Sequence, residues 1–87
     1  MARRRVVYRV HYVGRIGMWG VTRIGPDGFK DRIQNTPTKA LAVALAVEEA
    51  RGRWRLTGQL TQVVVHSKDG RISWERTYGQ DPARRKG

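Results

Sequence analysis

The sequence predicts a two-layer α+β domain: an antiparallel sheet of four or five strands with one helix on one face, in the order ββ(β)αββ. Three observations predict it. Residues 38–56, TKALAVALAVEEARGRWRL, form the only long run with helical spacing. Short β-rich stretches flank that run, two before it and two after. Turn signals built on glycine, proline, aspartate and asparagine separate them. Two hairpins around a single helix cover one face of their sheet and leave the other to water or to a partner.

Residues 5–13, RVVYRVHYV, read as the first strand, with Val6, Tyr8, Val10 and Tyr12 on one face and Val7, Arg9, His11 and Val13 on the other. Gly14 to Gly17 turns the chain into a second strand, Met18 to Ile24, where Trp19, Val21 and Arg23 alternate with Met18, Gly20, Thr22 and Ile24. A glycine at position 20, mid-strand, signals a bulge or a close approach by another group. Gly25-Pro26-Asp27-Gly28 is a strong turn, and Phe29 to Ile33 a short third strand with little alternation. Thr38 is the expected helix N-cap, after Pro37, and Gly58 the expected left-handed C′ residue, with Gly52 an earlier candidate stop. Val43, Leu45 and Val47 are the expected core of the helix, facing Val63 or Val65 and Trp74. Leu60 to His66 and Ile72 to Tyr78 form the last hairpin across Lys68-Asp69-Gly70. The chain thus divides into a basic arm at 1–4, one domain at 5–79 and a basic tail at 80–87.

Charge is the strongest compositional signal. Eighteen Lys and Arg against seven Asp and Glu give a net charge of +11 in 87 residues. The excess is +6 over residues 1–35, +2 over 36–58 and +3 over 59–87, so it is not confined to a tail. Fourteen of the cations are Arg, the planar donor suited to phosphate. A GC-rich genome explains Arg over Lys but not an excess this large. The chain has no cysteine, which removes disulfides and thiolate metal sites. Arg9 and His11 interrupt any signal-like apolar run near the N-terminus, and Ala40 to Val47 is too short to span a bilayer. A soluble cytoplasmic protein with no membrane contact is expected.

Val64-Val65-His66-Ser67-Lys68-Asp69-Gly70-Arg71-Ile72, followed by Tyr78-Gly79-Gln80-Asp81-Pro82, resembles the signature of a small bacterial and phage family, domain of unknown function 2188. Trp19-Gly20-Val21 is similar to that family's early Trp-x-Val, and Thr38 to Ala42 to its Thr-Lys-Ala-x-Ala helix start. The resemblance runs over about residues 8–87. This chain departs from the pattern in a longer Gly25–Pro37 connection and in its Arg-Trp-Arg segment. The resemblance implies a fold and no activity.

No catalytic constellation is present. His11 and His66 are the only imidazoles, and a strand histidine is more often a packed residue than a general base. Asp69 belongs to turn geometry, and Glu48 and Glu49 are adjacent on the helix and point apart. The glycines form no phosphate-cradling loop, and no metal or cofactor is expected. The cations carry the functional expectation. Arg3, Arg4 and Arg5 form an arm able to follow a phosphate backbone, and Arg84, Arg85 and Lys86 a second one. Arg9 and Arg23 on paired strands, with Arg71 and Arg76 on the last hairpin, are expected to line the open face. Arg51, Arg53 and Arg55 suit the helix dipole as well as any ligand. Trp19 and Trp74 are candidate stacking platforms, though a strand tryptophan in so small a domain is more often core. The expected function is nucleic-acid binding with little sequence preference, DNA before RNA, through the sheet face and the arms. The alternative is a protein-interaction module that docks on a host protein or on a second copy of itself. One continuous positive face favours the first, and an apolar patch of more than about a few hundred Å² the second.

Overall fold

A computed structural model describes residues 5–79. The elements are β1 (Arg5–Val13), β2 (Met18–Ile24), β3 (Lys30–Thr36), α1 (Lys39–Thr57), β4 (Leu60–His66) and β5 (Ile72–Tyr78). They form one five-stranded sheet in the order β3-β2-β1-β4-β5, with α1 packed on one face. This is the two-layer α+β architecture the sequence predicts. The expected arm at 1–4 and tail at 80–87, with Arg3, Arg4, Arg84, Arg85 and Lys86, lie outside the described residues.

One pairing differs from an all-antiparallel sheet. β1 and β4, the two central strands of the hairpins, run parallel, with Tyr8 opposite Val63 and Val10 opposite Val65. The path dictates this direction. β1, β2 and β3 alternate, α1 returns across the face, and β4 leaves the helix in the direction of β1. The sheet is therefore mixed, and its middle is the most enclosed part of the molecule.

Period-2 alternation holds well in β1. Val6, Tyr8 and Val10 are buried under the helix, beside Val21 of β2 and Thr61, Val63 and Val65 of β4. The third strand is longer than expected and begins one residue later. A bulge opposite Val21 and Thr22 leaves Ile33 without a direct partner. The weak apolar alternation of the stretch reflects its place at the sheet edge, where most of its side chains stay polar.

Thr38 caps the helix, its hydroxyl accepting from the Leu41 N–H, and Gly58 ends it in the left-handed region. The helix runs through Gly52. Its inner stripe agrees with the spacing expected from Val43 only at Ala50, the i+7 position. Ala42, Ala46 and Ala50, spaced four apart, are fully buried, whereas Val43, Leu45 and Val47 flank them and are only partly covered. Alanine has only a methyl group to hold the layers apart, so the helix backbone settles close to the sheet. Trp74, expected in the core, lies on edge strand β5 with 40% of its surface exposed. Gly79 ends β5 with φ +84°, and a Cβ there would meet the Trp54 ring at 2.7 Å. Gly79→Ala is expected to destabilise by about 2 kcal/mol or more, from the left-handed backbone alone and then from the clash, as read in a urea melt. Among the described residues no helix is long and apolar enough to cross a membrane.

Candidate nucleic-acid interface

The face of the sheet opposite α1 carries the alternate residues: Arg5, Val7, Arg9 and His11 of β1, Gly20 and Thr22 of β2, Gln62, Val64 and His66 of β4. Among the described residues no helix or strand covers it. A pocket of about 510 Å³ opens there, lined by Arg9, His11, Thr22 and Arg32 across three strands and bounded by Lys30, His66 and, from the last turn, Ser67, Lys68 and Gly70. Four cations and two imidazoles surround it, and no carboxylate lines it.

The pocket is held by its own polar contacts. Nε2 of His11 lies 3.0 Å from Thr22 Oγ1, which also accepts from Arg32 Nε at 3.1 Å. Arg32 Nη1 donates to Asn35 Oδ1 at 2.9 Å. Gly20 makes this possible: a Cβ there would sit 3.1–3.2 Å from Asn35 Oδ1, Arg32 Nη1 and His11 Nε2. The mid-strand glycine thus marks a close approach, by polar side chains of the open face. At the rim, Lys68 Nζ stands 4.8 Å from the centre of the Tyr12 ring. Burial, followed by the charges of Arg32, Arg9 and His66, holds the His11 pKa below its usual value. Two polar atoms of pocket-lining residues, Arg9 Nε and His66 Nε2, are buried with no hydrogen-bond partner.

The structure separates the cations expected to form one stripe. Arg9 is in the pocket, but Arg23 pairs in register with buried Tyr8, on the helix side, and donates to Asp31 Oδ2 at 2.7 Å. Direct partners across a ladder share a face, so the two arginines point to opposite sides of the sheet. Arg76 pairs with Val63, also on the helix side, at the exposed edge. Arg71 is solvent-exposed at the last turn, 3.7 Å from Asp69. Arg5 reaches the open face and donates to Gln62, which in turn donates to Glu75. Arg53 turns from the helix to donate to the Tyr8 hydroxyl at 2.9 Å. Neither tryptophan stands on the open face. Trp19 is 8% exposed and packs against Tyr12 at 5.2 Å, and Trp74 pairs with Val65 on the helix side.

Lys30, Arg32 and Lys68 join the pocket without having been singled out in the sequence, because they come from the third strand and the last turn. Asp69 has the turn role expected of it: its carboxylate accepts from the Ser67 hydroxyl and the Arg71 N–H, which lower its pKa. Among the described residues no group of three or more His, Asp or Glu could hold a metal ion.

A family described as an uncharacterized protein conserved in bacteria, DUF2188, matches residues 10–78. The chain belongs to this family. The DUF2188 match runs from Val10, midway along β1, to the end of β5, and so takes in the pocket residues other than Arg9. No curated protein and no solved structure matches the chain.

Proposed function

We propose that this DUF2188 protein binds nucleic acid, duplex DNA in preference to RNA, through the open face of its sheet, with little regard for sequence. The observation that carries this reading is the pocket lined by Arg9, Lys30, Arg32 and Lys68, together with two imidazoles and no carboxylate, on the uncovered face of a +11 chain. Such a concentration of fixed donors attracts phosphate and releases the counterions condensed on it. With Trp19 and Trp74 turned away from this face and Trp54 on the helix, base stacking has no tryptophan platform there, which favours contacts to the backbone of a duplex over the reading of splayed bases. Arg5 extends the cationic surface along β1, and the basic arms add charge of the same sign. On this reading the protein works in the bacterial cytoplasm, and catalysis is not part of its task.

Fluorescence anisotropy with unrelated labelled duplexes over a salt series tests it. Four phosphate contacts give a slope of log K against log salt of about −3.6 on duplex DNA. Arg9→Ala with Arg32→Ala is expected to flatten that slope by about two and to weaken all sequences alike. Arg23→Ala, on the other face and paired with Asp31, is expected to leave it unchanged. Salt-independent association, or none at low ionic strength, would refute the reading.

A second reading draws on edge strand β5, where Ile72 and Trp74 are 55% and 40% exposed. An unpaired edge with apolar side chains suits a protein partner, a host protein or a second copy. Loss of self-association or of a protein partner on Trp74→Lys, with DNA binding unaltered, would favour it.

A further inference from the structure

The two unpartnered atoms of the pocket have different chemistry. Arg9 Nε always carries a proton and is a donor. His66 Nδ1 lies 2.9 Å from the Gly70 carbonyl oxygen, which can only accept, so Nδ1 holds the proton of the neutral ring. Neutral His66 therefore presents a bare lone pair at Nε2, buried and unmatched. Beside a phosphate oxygen that lone pair is repulsive. A second proton turns the same atom into a charged donor, in the pocket that Arg9 also lines.

We infer that the pocket between His11, Arg9, Arg32 and His66 takes one phosphoryl group of the nucleic-acid backbone, and takes it together with protons on the two imidazoles. The inference rests on the proposed function and deepens it, by naming the contact and making it depend on pH. The groups facing the imidazoles fix the sign. Arg9 from β1, Lys30 and Arg32 from β3, and Lys68 from the last turn are all cationic, and each histidine faces the other. The carboxylates beside the pocket lie outside the lining: Asp31 pairs with Arg23, Glu75 accepts from Gln62, and Asp69 is held in its turn. In the protein alone, burial and then the charges of Arg32, Arg9 and His66 oppose protonation of His11. A phosphate among them reverses the balance. Binding therefore tightens as pH falls through the histidine range and approaches tenfold per pH unit for each proton taken up.

The experiment uses the full chain and short thymidine oligonucleotides, single-stranded and paired with deoxyadenosine. Their phosphodiesters keep one charge, and thymidine does not titrate, between about pH 5.5 and 8. Nitrogen-15 spectra of the imidazoles report protonation directly, and anisotropy reports affinity at each pH. The expected result is protonation of His66 and His11 when oligonucleotide is added near pH 7, with affinity rising as pH falls. His66→Gln, checked for folding by its melt, is expected to remove about half of that pH dependence. Binding that leaves both imidazole signals and the pH profile unchanged would overturn the inference, while nucleic-acid binding would stand. Protonation by sulfate, with no affinity for either oligonucleotide, would uphold the anion pocket and overturn the proposed function instead. No response to either probe would overturn both.

Discussion

Tyr8→Ala is expected to leave the domain barely folded. Tyr8 is fully buried at the centre of β1, between Arg23 on one neighbouring strand and Val63 on the other, and beneath the helix. Truncating a buried aromatic to alanine costs about 3–5 kcal/mol, through lost transfer energy and the cavity left behind. A domain of this size has roughly 4–13 kcal/mol of stability, so the change removes a large share of it. Tyr8→Phe separates packing from hydrogen bonding. It deletes only the acceptor of the Arg53 Nε–H, and half-exposed Arg53 can turn to water, so a loss of about 1 kcal/mol is expected. Urea melts followed by tryptophan fluorescence, to which buried Trp19 contributes, distinguish the two variants. Equal midpoints for them would show that the ring of Tyr8 does not hold the layers together.

Ala46→Leu is expected to have the second large effect. Ala46 is the middle of the fully buried stripe Ala42-Ala46-Ala50, where the helix backbone lies against the sheet. Three added heavy atoms have no space unless the helix lifts, and the lift uncovers Val10, Val21 and Val65. Overpacking of this kind costs about 1–3 kcal/mol, sometimes more. Leu45→Ala, at a flanking half-buried position, is the comparison, and its loss is expected to fall below the ~2–5 kcal/mol of a fully buried leucine. A variant with Leu at 46 as stable as the parent would mean that the two layers are not in close contact along this stripe.

The helix illustrates why its facing residues were harder to read than its ends. Thr38 and Gly58 act through local backbone geometry, and a local window contains all of that. The inward face was inferred from large apolar side chains, which favoured Val43, Leu45 and Val47. In a helix this rich in alanine, close approach outweighs side-chain bulk, and the small residues face the sheet. The same limit applies to Trp74. Its alternation was visible, but nothing local showed that its strand would be an edge.

The candidate interface was legible only in part. Total charge pointed to a phosphate partner, and Gly20 marked a close approach, but not the groups that make it. The arginines at 9 and 23 looked like neighbours because alternation assigns faces within a strand and says nothing of the register between strands. One residue of register decides whether Arg23 joins Arg9 or pairs with Tyr8.

The sequence by itself determined what depends on near neighbours: the strand and helix periods, the caps, the turns at Gly25–Gly28 and Lys68–Gly70, and the +11 charge. The tertiary structure alone decided the parallel pairing of β1 with β4, the alanine stripe under the helix, and the meeting of Arg9, His11, Arg32 and His66. The physical reason is common to all three. Each depends on which strands lie side by side and in what register, and that is settled by burying Tyr8, Val10, Val21, Val63 and Val65 together under one helix. The pocket is formed by the residues that this burial turns outward.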